Sequence, residues 1–136
     1  MFLLDTNILG ERIRAKPNLP VVRKLLSYEP ALLFASEMTR YELRHGAIKH
    51  TNSEALWSRI AGEVLPLARW LSIDSQITMA AADLSAHLER KGQPIESADI
   101  FIAATALAHN LILVTRNQRH FERVPSLIVE NWFTEA

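Results

Sequence analysis

Short apolar runs that alternate with longer amphipathic segments dominate this sequence, and few architectures accommodate them. Phe2 to Asp5, Ala31 to Ala35, Ile112 to Thr115 and Leu127 to Glu130 are too short for helices, and a weaker run spans Leu67 to Leu71. Runs of this length read as buried strands. Between them, helical spacing predicts helices over Ile8 to Ala15, Leu19 to Tyr28, Glu37 to His50, Glu54 to Val64, Ser75 to Lys91 and Ala98 to His109. Strands that alternate with helices are joined by crossovers, so an α/β fold with a mainly parallel sheet is expected. The punctuation agrees: Ser36 and Asp74 stand at N-cap positions, and Gly92 and Pro94 follow a helix ending in Arg90 and Lys91.

The 136 residues suit one domain over the whole chain, 1–136, burying roughly two-thirds of the surface the unfolded chain exposes. There is no cysteine, which excludes disulfides and thiolate metal sites and fits a reducing compartment. The opening apolar run breaks at Asp5, and the longest apolar stretch, "IFIAATALA", falls well short of the ~20 residues a spanning helix needs, so a cytoplasmic protein without a membrane segment is expected. Fifteen basic residues balance fifteen acidic ones, so nucleic-acid binding would rest on local patches.

Asp5 ends the first strand, and open parallel sheets bind ligands at the carboxyl ends of their strands. Its structural alternative is a cap, by Asp5, Thr6 or Asn7, for the helix that follows. Met38, Tyr41 and His45 define a helical stripe expected to face the core, and Glu42 falls on that stripe, with His45 as its one local partner. Ile100 to Ala108 is apolar nearly all round apart from Thr105, which predicts a central helix. Asp99 stands in its first turn after a Ser97 cap, where the helix dipole alone already favours an anion. Glu96 is a spare ligand or solvated acidity. Three converging carboxylates repel one another unless a cation holds them, and an all-oxygen set selects Mg²⁺ or Mn²⁺. Zinc fits poorly, because the five histidines show no i, i+4 pair.

The blocks "LLDTNIL", "TRYELRHGA" and "PIESADIFIAATALAHNLILVTRNQRHFERVPSLIVENW", in this order and spacing, resemble the PIN-domain ribonucleases, specifically the VapC-type toxins of bacterial toxin–antitoxin pairs. The resemblance covers nearly the whole chain. It implies a three-layer α/β/α sandwich around a mainly parallel sheet, and an endoribonuclease that cleaves single-stranded regions of RNA with Mg²⁺ or Mn²⁺. It assigns metal binding to Asp5, Glu42 and Asp99. The family's frequent fourth acidic residue is replaced by Asn117, which argues against a strong second metal. Arg116, Arg119 and Arg123, with Arg40 and Arg44, are candidates for phosphate contacts, and Thr6 and Thr115 for orienting ligands or substrate, although each arginine is equally readable as solvated charge and each threonine as a turn cap. The implied partners are a VapB-type antitoxin lying over the active-site groove and a second copy of the toxin.

Two other classes fit parts of the pattern. Aspartate-dependent phosphatases also place a nucleophilic aspartate after the first strand, but usually with a second nearby carboxylate and a later lysine, where this chain has Thr6, Asn7 and Arg116. A PIN-like module that grips RNA or protein with little or no cleavage is the other, and metal-dependent cleavage separates it from a nuclease.

Overall fold

The structure, a computed structural model, describes residues 1–133. Its centre is a five-stranded parallel sheet, with strands β1 (Phe2–Leu4), β2 (Leu33–Ser36), β3 (Arg69–Leu71), β4 (Ile112–Val114) and β5 (Val129–Glu130) in the order β3-β2-β1-β4-β5. The chain winds outward from β1 through β2 to β3, then returns to place β4 on the other side of β1. The winding therefore reverses between β1 and β4, the position at which open α/β sheets form a ligand crevice.

The helices are α1 (Thr6–Leu9), α2 (Leu19–Ser27), α3 (Glu37–Ile48), α4 (Ser53–Arg59), α5 (Ser75–Arg90), α6 (Ser97–Ala108) and α7 (Gln118–Phe121). Alternation along the strands supplies both faces of the sheet. Leu4, Leu33, Ala35 and Val114 join a core with Val21 and Leu25 of α2, Leu43 and Ala47 of α3, and Trp132. Leu3 and Leu113 point the other way, into a core built from Ile77 and Leu88 of α5 and Ile100, Ile102 and Ala103 of α6. The result is a three-layer α/β/α sandwich. Helix α6 is buried on most sides, and its Thr105 hydroxyl donates to the Phe101 carbonyl at 2.7 Å, which settles the one polar group in that apolar run.

Several boundaries differ from the sequence expectation. The expected helix from Ile8 to Ala15 is α1 followed by a 3-10 turn at Gly10–Ile13, and Glu54 to Val64 is α4 passing into a π-helical turn at Ile60–Val64. A 3-10 turn at Pro30–Leu32 delays β2 to Leu33, and β5 forms only at Val129. Ser36 and Asp74 do cap their helices, accepting from Met38 N at 3.0 Å and Ile77 N at 2.9 Å. The cap of α6 is Glu96 instead of Ser97, with no side-chain hydrogen bond. Gly92 has φ +68°, and the Gln93 N–H returns to the Leu88 carbonyl at 2.9 Å, closing α5 with the left-handed turn that glycine adopts freely. The expected core stripe on α3 is displaced: Thr39, Leu43 and Ala47 face the core, while Tyr41 and His45 are exposed.

Candidate active site

Asp5 leaves β1 at the winding reversal. Its backbone N–H still bonds the Val114 carbonyl of β4 at 2.9 Å, so the side chain is set directly over the crevice. It is 4% exposed. Oδ1 accepts from Thr6 N at 2.7 Å, which caps α1, and Oδ2 accepts from the Thr115 hydroxyl at 2.8 Å and from Asn7 Nδ2 at 3.3 Å. The cap and the site are therefore one arrangement: one oxygen starts the helix and the other is held by the end of β4.

Asn7 and Thr115 stitch the two strand ends together. Asn7 Nδ2 lies 3.4 Å from the Thr115 hydroxyl oxygen, and its Oδ1 accepts from Arg116 N at 3.1 Å. The same Thr115 oxygen accepts from Asn117 N at 3.0 Å. Asn7 entered the sequence reading only as an alternative cap, because a bond spanning 108 positions leaves no local spacing to detect.

Glu42 reaches the crevice from the edge of α3. Its Oε1 accepts from the Thr6 hydroxyl at 2.7 Å, so its partner is Thr6 and not His45, the one local partner the helical spacing offered. The buried Ser36 cap starts α3 immediately after β2, which brings the second turn of the helix over the carboxyl end of the sheet. Asp99 stands in the first turn of α6, with Oδ2 3.2 Å from His120 Nδ1 of α7. His120 carried no signal in the sequence beyond its residue type.

The electrostatics tie the three carboxylates to one another. Burial raises the Asp5 carboxyl from 3.8 to about 6, hydrogen bonds from Thr115 and Thr6 oppose that rise, and the charges of Asp99 and Glu42 add to it. Asp99 is raised as well, by burial first, with His120 opposing and Glu96 adding. In its donor chemistry the set fits a hard divalent cation: three carboxylates from three elements, oxygen donors only, with repulsion that a cation relieves. Among the described residues, no three acidic or histidine side chains close into a coordination shell, and Glu42 and Asp99 each face a protein donor, Thr6 and His120.

The arginines separate into two groups. Arg40 is bidentate to Glu37, at 2.6 and 3.1 Å, and lies 4.5 Å over the Trp70 ring, while Arg44 lies 5.0 Å over Trp57. Arg116 sits 4.5 Å over Phe133. On the α7 side Arg119 and Arg123 line one open groove with Gln93 and Glu122, and Arg123 lines a second with Pro94, Ile95, Glu96 and His120, the histidine that faces Asp99. Asn117 is exposed at the start of α7, and its side chain makes no capping bond.

A family model, described as the PIN domain, matches residues 2–127. The chain is 33% identical over 131 residues to a tRNA(fMet)-specific endonuclease VapC of Salmonella typhimurium, covering 96% of this chain and 97% of that protein. Among solved structures it resembles FitAcB from Neisseria gonorrhoeae, with a TM-score of 0.88 and 33% identity over 97% of this chain and 98% of the other. It also resembles DNA-bound VapBC from Salmonella typhimurium, with a TM-score of 0.84 and 32% identity over 96% and 97% of the two chains. The family model spans nearly the whole chain and the relatives match it over nearly their full length, so the chain belongs to the PIN-domain family.

Proposed function

We propose that this protein is a divalent-metal-dependent endoribonuclease, a VapC-type toxin that cuts single-stranded regions of RNA and is held in check by a VapB-type antitoxin. The observation that carries the reading is the buried Asp5 at the winding reversal, raised towards neutrality by its burial and by two further carboxylates. A nuclease name on a full-length relative supports the activity, and a VapBC structure among the neighbours supports the antitoxin.

Asp5, Glu42 and Asp99 are the residues that would hold Mg²⁺ or Mn²⁺. Such an ion supplies charge neutralisation and Lewis acidity at a scissile phosphodiester. Thr115, Thr6 and Asn7 fix the rotamers of Asp5 and Glu42, so the carboxylates are oriented before substrate arrives. Arg119 offers a guanidinium to the phosphates flanking the cleaved bond, and Arg116 lies at the strand end from which its backbone binds Asn7. Asn117, beside Thr115, has an amide suited to hydrogen-bonding but adds no charge.

The test is cleavage of a labelled single-stranded RNA by the purified protein. Cleavage should require Mg²⁺ or Mn²⁺, stop in EDTA and return when the metal is restored. RNA binding with no metal-dependent cleavage would instead favour the binding-module reading.

A further inference from the structure

Helix α3 carries one pair of side chains that the carboxylate site does not use. The rings of Tyr41 and His45, one turn apart, are parallel within 5° with centroids 5.7 Å apart. Tyr41 is 62% exposed, and His45 is exposed too. The other stacked pair among the described residues, Tyr28 on Trp132, includes a buried ring and belongs to the core. A flat aromatic pair held ready in water is a different object.

The helical period fixes where the pair lies. Thr39, Leu43 and Ala47 mark the core side of α3, and Glu42 at its edge is directed to Thr6. His45 is three residues from Glu42 and therefore its neighbour on the helix surface, and Tyr41 flanks both on the side away from the core. The cations of the same helix are engaged elsewhere, Arg40 with Glu37 and Trp70, and Arg44 with Trp57. Beside Glu42, α3 thus presents a π surface and little available charge. The α7 wall differs: Arg119 and Arg123 stand around an open groove, with the Arg123 guanidinium donating to the Pro94 carbonyl at 3.1 Å.

The geometry points to a base-binding platform: Tyr41 and His45 stack an unpaired base of the RNA strand next to the phosphate at Asp5, Glu42 and Asp99, while the strand continues over Arg119 and Arg123. This rests on the proposed nuclease function and adds how a single strand would be selected. Every base has a π face, so stacking tolerates sequence, but a base must be out of a duplex to offer that face. The platform therefore favours unpaired nucleotides without reading which they are.

The test measures affinity, with Asp5→Asn in every protein to prevent cleavage, for a fluorescein-labelled single-stranded RNA and for the same sequence as a hairpin stem. Tyr41→Ala should weaken single-strand binding by about 5- to 150-fold, the range expected for one stacked base. Tyr41→Trp should restore it, Tyr41→Leu should not, and stem affinity should change little. Stacking releases no counterions, so the salt dependence of binding should keep its slope in Tyr41→Ala, whereas Arg119→Gln should lower that slope by about 0.7. Unchanged single-strand affinity in Tyr41→Ala overturns the platform. So does full rescue by Tyr41→Leu, or a loss that follows a change in sedimentation from dimer to monomer, which would make the pair a contact between copies of the chain. The two readings fail separately. Metal-dependent cleavage by the unsubstituted protein with Tyr41-independent binding removes only the platform, and Tyr41-dependent binding without cleavage removes only the nuclease.

Discussion

Asp5→Asn should make the metal-free protein more stable at neutral pH even though it disables the site. The Asp5 carboxyl is raised from 3.8 to about 6 in the folded protein. Between those values the folded chain keeps a proton that the unfolded chain has released, so stability falls as pH rises through this window and the loss is complete above about pH 7. The gap corresponds to about 3 kcal/mol of stability withheld at neutral pH. Asparagine caps α1 nearly as well as aspartate, through the oxygen facing Thr6 N. Its amide nitrogen is a donor and accepts from neither Thr115 nor Asn7, however, and the lost acceptor oxygen costs about 1 kcal/mol. The net gain is about 2 kcal/mol, which for a chain of this length raises Tm by about 7 °C. At about pH 4, where the native Asp5 is protonated, the gain should vanish. Thermal melts followed by circular dichroism in EDTA, at about pH 4 and about pH 7.5, measure both quantities. A variant that melts below the unsubstituted protein at neutral pH, or that shows the same difference at both pH values, would refute the reasoning, because Asp5 would then not be carrying an unfavourable buried charge.

Further substitutions probe the site and the scaffold. Asn117→Ala should reduce the cleavage rate by about 10-fold or less, whereas Glu42→Gln and Asp99→Asn should each cost about 100-fold or more, since each removes a charge from the carboxylate set; equal losses, measured as single-turnover rates across a Mg²⁺ titration, would promote Asn117 to a primary ligand. Gly92→Ala should lower stability by about 1 kcal/mol without changing cleavage, because the residue at φ +68° pays the left-handed penalty once it carries a Cβ; denaturant unfolding checks it, and an unchanged midpoint would mean the turn rearranges freely.

Different parts of this molecule were legible in the sequence for different physical reasons. The sheet was readable because strands buried on both faces are continuous apolar runs, and Asp5 stood out because it ends one of them. Helix α6, apolar nearly all round, announced its central position and with it the place of Asp99. Glu42 was picked out through a stripe of which the structure keeps only Met38 against the core, with Tyr41 and His45 exposed. The rings of Tyr41 and His45 suggested the core face, yet α3 packs through Thr39, Leu43 and Ala47, two of which are too small to stand out in an apolar pattern. Helix α7 spans four residues, too few for any period to register. The contacts Asn7–Thr115, Thr6–Glu42 and Asp99–His120 join residues distant in sequence, and nothing in local spacing encodes them.

The central claim is that Asp5 serves the chemistry of RNA cleavage at a cost to the fold. Single-turnover cleavage of one single-stranded RNA by the unsubstituted protein and by Asp5→Asn, at saturating Mg²⁺ and on samples whose melting is recorded in parallel, tests it most directly. The variant should melt higher in EDTA and lose cleavage by at least about 100-fold. Cleavage that persists undiminished in Asp5→Asn would contradict it.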